Sequence, residues 1–358
     1  MSGSTPGPNS GFSSSNNGMA IDGQGDAWFT AFVGSQSLYD TLEIATTATT
    51  NCSSGCSTFN ALDVGAIDSE IAVDRSGDVF ISNSTASGGG LGEYFEGGAG
   101  QSVCYFTAIS DQPGPLVVSN SGTLITAGVL GVYSVPPGSW STVKVFDGGL
   151  DCGESVMFSY PNADNGGPTG FAPAAIGVDS AGNVWTTFAT INNSTYIFLN
   201  ASLFLTQPGN SDSKAIDGFG NVWLAFSDTN VGGPENLVLK INGSATANCG
   251  SGCTSFQIPS FPSYESLSAI AIDGAGTVWV AGDISSYLVA ITANVSADCS
   301  TGCRVYTEVN GAGIGDGFLA IDGSGNIWSS SGAGSGGGVV KIPKLTAPTV
   351  TPLAAQAR

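Results

Sequence analysis

Short runs of alternating apolar and polar residues recur through the chain, each broken by an acid-and-glycine turn. Alternation of this kind buries one face of a strand. The cleanest unit is AIDGSGNIWSS, from Ala320 to Ser330. Six more start at Ala20, Ala72, Val117, Gly177, Ala215 and Ala271. Each reads as two strands around a tight turn. The first strand ends in Asp22, Asp74, Asp179, Asp217, Asp273 or Asp322, with Ser119 in the third copy. An acid at the start of a turn accepts backbone N–H groups just ahead of it. A glycine three residues on supplies the positive φ of a bulged hairpin loop. Six residues after the acid comes a large core side chain: Trp28, Phe80, Ile125, Trp185, Trp223, Trp279 or Trp328. Six aspartates in register suggest metal ligands, but turn formation alone requires the acid, so they are assigned to the turns.

The acidic positions lie about fifty residues apart, which leaves room for two further strands per unit. Seven units of four antiparallel strands predict a single all-β, seven-bladed propeller. The repeats resemble those of secreted bacterial NHL-repeat propellers, over about residues 19 to 345. Virginiamycin B lyase and gluconolactonase-like propellers are more distant likenesses. The resemblance implies the fold. Propellers host unrelated activities, so it implies little about chemistry.

Residues 1–18 are read as a flexible arm or a ring-closing strand, and 346–358 as an extended, proline-bearing tail. Blade 1 is placed from Met19 to Leu62, with its third strand near Leu38–Ala45. Blade 2 runs from Ile71 to Ala108, with later strands near Leu91–Phe95 and Val103–Thr107. Blade 3 lacks both Asp and Trp; its outer strands are expected at Leu130–Val135 and Val143–Phe146, followed by an insertion, Asp147–Ala174. Blade 4 packs its outer strands into Thr195–Thr206. Blade 5 takes Ala215–Ile258, blade 6 Ala269–Val309, and blade 7 opens at Phe318 with a strand near Val339–Ile342. The sequence does not decide which terminus closes the ring. An unfilled edge would be a template for a strand from another copy.

Charge narrows the partners. Eight Lys and Arg stand against 28 acids, for a net charge of −20. Nucleic acid and anionic membrane surfaces are therefore poor partners, and no stretch is long and apolar enough for a membrane-spanning helix. The chain has no histidine, which removes the commonest general base and the residue on which lyase chemistry of the resembled type depends. No catalytic constellation stands out, and no cofactor is required, though the acidic surface leaves room for a divalent cation. The gluconolactonase likeness implies a metal held over the channel, for which Glu70, Asp111, Asn162 and Asp316 are the candidate positions.

Eight cysteines point to an oxidising compartment. Cys52/Cys56, Cys249/Cys253 and Cys299/Cys303 share one spacing and are read as disulfides pinning outer hairpin loops. Zinc is the rival, but no two pairs share a blade. Cys104 and Cys152 remain, and pairing them would tie blade 2 to blade 3. The first eighteen residues hold no signal peptide, so a secreted or cell-surface location implies a leader missing from this sequence. Sequons at Asn51, Asn83, Asn192, Asn193, Asn200, Asn242 and Asn294 permit glycosylation. Within the insertion, Phe158, Tyr160, Asp164 and Phe171 combine aromatics with a carboxylate and form a candidate carbohydrate- or cation-binding surface. Three functional readings stay open. The first is a non-enzymatic extracellular propeller that self-associates, as in a fibre whose subunits complete one another's blades. The others are a monomeric glycan- or protein-binding propeller and a metal-dependent lactonase or lyase.

Overall fold

The computed structural model describes residues 4–5, 12–13, 18–33, 38–48, 54–59, 67–85, 88–94, 101–105, 114–128, 131–135, 145–146, 149–151, 155–160, 173–189, 194–200, 202–227, 236–258, 267–282, 287–306, 318–331 and 338–349. Seven antiparallel sheets each hold one copy of the repeat, and together they make a seven-bladed propeller. The first two strands of each blade are the repeat itself. In blade 5, Asn210–Ile216 pairs with Val222–Ser227, which pairs with Leu237–Ile241, which pairs with Cys253–Gln257. Blades 4 and 6 repeat that order.

Each turn is built around its acid. In blade 7, Asp322 Oδ1 accepts the backbone N–H groups of Ser324 and Asn326 at 2.8 and 3.0 Å. Its Oδ2 accepts the Asn326 side-chain amide at 2.6 Å and the Trp328 indole N–H at 2.9 Å. The indole bond recurs at Trp28, Trp185, Trp223 and Trp279. The tryptophan is thus both core filler and hydrogen-bond donor, which satisfies the one polar atom a buried indole carries. All seven turn glycines have φ between 77° and 89°, a region that side chains with a Cβ rarely enter.

The fourth residue after the acid ties the turn to the loop following the third strand. Asn326 Oδ1 accepts the Lys344 N–H, Asn221 Oδ1 that of Gly243, and Asp26 Oδ1 that of Thr46. The two loops therefore lie on one face, and the cysteine loops lie there too. Cys249–Cys253 and Cys299–Cys303 are disulfides. Cys56 is disulfide-bonded as well, and Cys52 lies outside the described residues. All three loops close with the same backbone bond, to the carbonyl of Gly55, Gly252 or Gly302.

Blade 3 departs from expectation. Its fourth strand is Ser155–Ser159, inside the presumed insertion, and pairs with Gly131–Val135. Val145–Phe146 instead forms a small hairpin with Gly149–Asp151. That hairpin joins the outer edge of blade 2, parallel to Gln101–Tyr105, so blade 2 has six strands. The pairing sets Cys104 opposite Leu150; Cys152 falls outside the described residues. Packing decides which apolar segment completes blade 3. Tyr160, at the end of Ser155–Ser159, seats its ring 4.9 Å from Phe188 and 5.1 Å from Phe198 of blade 4.

The N-terminus closes the ring. Ser4–Thr5 pairs antiparallel with Val339 and Val340 as the outermost strand of blade 7. Phe12–Ser13 then pairs with the second strand of blade 1. Residues 346–349, the described part of the C-terminal segment, do not form a strand. Thr346 N–H and its hydroxyl both reach the Gly325 carbonyl, Ala347 N–H reaches Asp273 Oδ2, and Thr349 N–H reaches the Asp322 carbonyl. It straps the turns of blades 7 and 6. Asp273 can receive it because Thr277 stands where Asn183, Asn221 and Asn326 donate to their own acids. Among the described residues, no helix is long and apolar enough to cross a membrane.

Candidate functional site

The seven first strands converge on a central channel. Its wall is made of small side chains two residues before the turn acid, among them Val117, Gly177, Ala215, Ala271 and Ala320. The cavity has a volume of about 260 Å³, somewhat below the ~300 Å³ at which pockets for drug-sized ligands begin.

Two charged side chains enter this apolar space. Glu70 and Lys214 both line it, from the first strands of blades 2 and 5, which stand three blades apart in a ring of seven. Each is placed by a β-bulge. The ladder of blade 2 shifts register between Asp68 and Ile71, and that of blade 5 between Asn210 and Ser213. A bulge bends its strand and re-aims the neighbouring side chains. The Glu70 N–H freed from the ladder is taken by the buried Ser82 hydroxyl at 3.1 Å. Gly177 makes room for Lys214: a Cβ there would lie 3.2 Å from Lys214 Cε and 2.8 Å from Ile216 Cδ1.

Burial pushes the Glu70 carboxyl well above the usual carboxylate range, and the Lys214 charge draws it only partly back. Burial likewise pushes the Lys214 ammonium down, with Glu70 opposing. Among the described residues neither charged end has a hydrogen-bond or ion-pair partner in contact. Each loses hydration on entering the channel and recovers only part of the cost from the other.

Of the four channel-metal positions, Glu70 is at the channel, and Asp111, Asn162 and Asp316 lie outside the described residues. Of the four candidate surface residues, Tyr160 is buried in the core with its hydroxyl donated to Thr186 at 3.1 Å. Phe158 is half-buried against the same cluster. These two aromatics serve the interface between blades 3 and 4. Asp164 and Phe171 lie outside the described residues. Sequence reasoning missed Lys214, although the signal was present. At its repeat position the other blades have Met19, Ile71, Leu116, Ile176, Ile270 and Leu319.

A second acidic grouping sits in blade 1. Carboxylate oxygens of Asp22, Asp26 and Glu43 lie within 4.8 Å of one another. It arises because Asp26 replaces the asparagine of blades 4, 5 and 7, while Glu43 stands cross-strand from Trp28. Burial raises the Glu43 pKa, a bond with Ser57 lowers it, and Asp26 and Asp22 raise it further. The oxygens already serve the fold: Asp22 accepts Gln24, Asp26 and Trp28, and Asp26 accepts Thr46.

By sequence, the chain matches no family model and no curated protein. By structure, it is similar to streptogramin B lyase, with a TM-score of 0.64 at 15% identity over 95% of this chain and 96% of that one. It is similar to virginiamycin B lyase from Staphylococcus aureus, with a TM-score of 0.64 at 14% identity over 92% and 95%. It is also similar to YCF48 from Cyanidioschyzon merolae, with a TM-score of 0.60 at 12% identity over 95% and 98%. At these identities the likeness is one of fold.

Proposed function

We propose that the protein is a non-enzymatic, extracytoplasmic scaffold propeller that self-associates through its seventh blade. The observation carrying this reading is the closure of the ring. The outer edge of the third strand of blade 7, Gly338–Ile342, is covered by the chain's own N-terminus: among the described residues, Ser4–Thr5 pairs with Val340 and Val339. The corresponding edge of blade 5 is covered by Cys253–Gln257, the next strand in the chain. A terminal strand added at the edge of a blade far away in sequence is exchangeable, and an identical strand from a second copy offers the same register. Exchange of such a terminal element is a low-cost route to dimers and, when the exchange does not close on itself, to chains. Disulfides in the outer loops support a location in an oxidising compartment.

The composition favours this over a lyase. A histidine-to-alanine form of the virginiamycin B lyase is described as catalytically inactive, and this chain contains no histidine. The test is light scattering across a concentration series, on the intact chain and on a form lacking residues 1–13. Strand exchange predicts dimers or longer assemblies from the intact chain and monomers from the truncated one. The same monomeric mass for both would sink the proposal.

A further inference from the structure

The channel pair goes beyond the scaffold reading. Glu70 and Lys214 bring opposite charges to one small channel cavity from blades three apart in the ring. Neither is explained by the repeat. Glu70 alone is charged at its position, where the other blades have Gly18, Pro115, Ala175, Ser213, Ala269 and Phe318. Lys214 alone is polar at its own. A carboxylate offers only acceptors and an ammonium only donors. A molecule that satisfies both must present a cationic donor at one end and an anionic acceptor at the other. The wall around them is aliphatic, with Ile71, Ala271 and Leu319 among its residues, which suits a short hydrocarbon body.

We infer that the central channel is a binding site for a small zwitterion, an amino-carboxylate whose ammonium faces Glu70 and whose carboxylate faces Lys214. Such a ligand supplies a partner to each half-buried charge at once. A ligand with one charge alone would leave the other side chain uncompensated, and a partly desolvated charge without a partner is disfavoured. The site therefore discriminates zwitterions from simple amines and simple carboxylates.

Calorimetric titration tests this with glycine, 4-aminobutyrate, 6-aminohexanoate and leucine as probes, and with butylamine and hexanoate as single-charge controls. At least one zwitterion should bind saturably, and at least tenfold more tightly than either control. The affinity should fall at least tenfold in Glu70→Gln and in Lys214→Met. Methionine occupies the matching position in blade 1 as Met19, so the second variant respects the repeat. A double variant exchanging the charges, Glu70→Lys with Lys214→Glu, should regain binding with the ligand reversed, and thermal melts of all three establish that they fold. The inference is overturned if no zwitterion binds the intact chain, if the controls bind as well, or if both single variants keep native affinity. None of these outcomes depends on oligomeric mass, so the channel and strand exchange fail separately.

Discussion

Replacing Asp322 with alanine removes the acceptor for four donors at one turn. Two are the side-chain N–H groups of Asn326 and Trp328, which are 7% and 2% exposed. Stranding a buried donor costs about 1–3 kcal/mol, and the charge on the acceptor moves the figure towards the upper end. The Ser324 backbone donor lies nearer solvent and can turn to water, whereas that of Asn326 is buried. Relief of carboxylate burial offsets part of the loss, because Asp322 is itself only 1% exposed. The expected net cost is about 3–5 kcal/mol. At about 2 °C per kcal/mol for a chain of this size, the melting midpoint falls by about 6–10 °C. Asp74→Ala is the internal control. The Asp74 side chain accepts backbone N–H groups, those of Ser76 and Asp78 among them, its repeat has Phe80 in place of an indole, and its removal should cost about 1 kcal/mol. The pH dependences should differ in sign. Burial raises the Asp322 carboxyl, but bonds from Asn326, Trp328 and Ser324 outweigh it and hold it below its ordinary value. Its contribution is therefore present above the unfolded pKa and lost as pH falls through the folded one. Burial dominates at Asp74 and raises its carboxyl. Stability from that group is full below the unfolded pKa and declines as pH rises through the folded one. Chemical denaturation of both variants between pH 3 and pH 8 measures the two costs. Equal losses at neutral pH, or a gap that does not narrow in acid, would refute the assignment of the indole and amide bonds as the source of the difference.

Three further perturbations have defined outcomes. Replacing Cys249 and Cys253 with serine should lower stability by about 2 kcal/mol, the loop-closure figure for so short a ring, and peptide mapping without reduction should show the native crosslink. Expressed through a glycosylating secretory pathway, the chain should carry glycan at exposed Asn294 and none at Asn200. The Asn200 side chain donates to Asn183 and accepts from Val184 within the fold, and glycopeptide mass spectrometry distinguishes the two sites. Gly274→Val should lift the C-terminal strap, because a Cβ at Gly274 would collide with the Pro348 carbonyl. Carboxypeptidase should then remove residues 346–349 faster than from the parent, and an unchanged rate would place the strap elsewhere.

The repeat was legible because its physics is local. Asp, Gly, Asn and Trp at fixed offsets close one turn, and the same bonds recur in blade after blade. Blade number followed from counting turns. What a turn cannot specify was lost. Val145–Phe146 and Ser155–Ser159 are both short and partly apolar, and only the seating of Tyr160 against Phe188 and Phe198 assigns the second to blade 3. Ser4–Thr5 carries no apolar pattern, so the sequence offered residues 1–18 as a ring-closing strand only beside the alternative of a flexible arm. The indole bond to aspartate was also missed, since tryptophan in a core position was explained by burial alone.

The same reasoning locates function in departures from the repeat rather than in the repeat itself. A column that holds apolar residues in six blades and lysine in the seventh is not filled for packing. A half-buried lysine in a largely aliphatic channel lowers stability unless something compensates it. Thr277 shows the structural version of such a departure: losing the asparagine frees Asp273 to bind the C-terminal strap. Asp26 shows another, where losing it gathers three carboxylates that the turn still uses. Both are answered by partners within the chain. Among the described residues, Glu70 and Lys214 are answered by each other, at a distance and incompletely. A purely structural pair would be relaxed by replacing both residues with apolar ones, and Glu70→Leu with Lys214→Met should then melt higher than the parent at neutral pH. A rise in midpoint together with loss of zwitterion binding would separate the two roles: the pair costs the fold stability, and the ligand is the reason it is present.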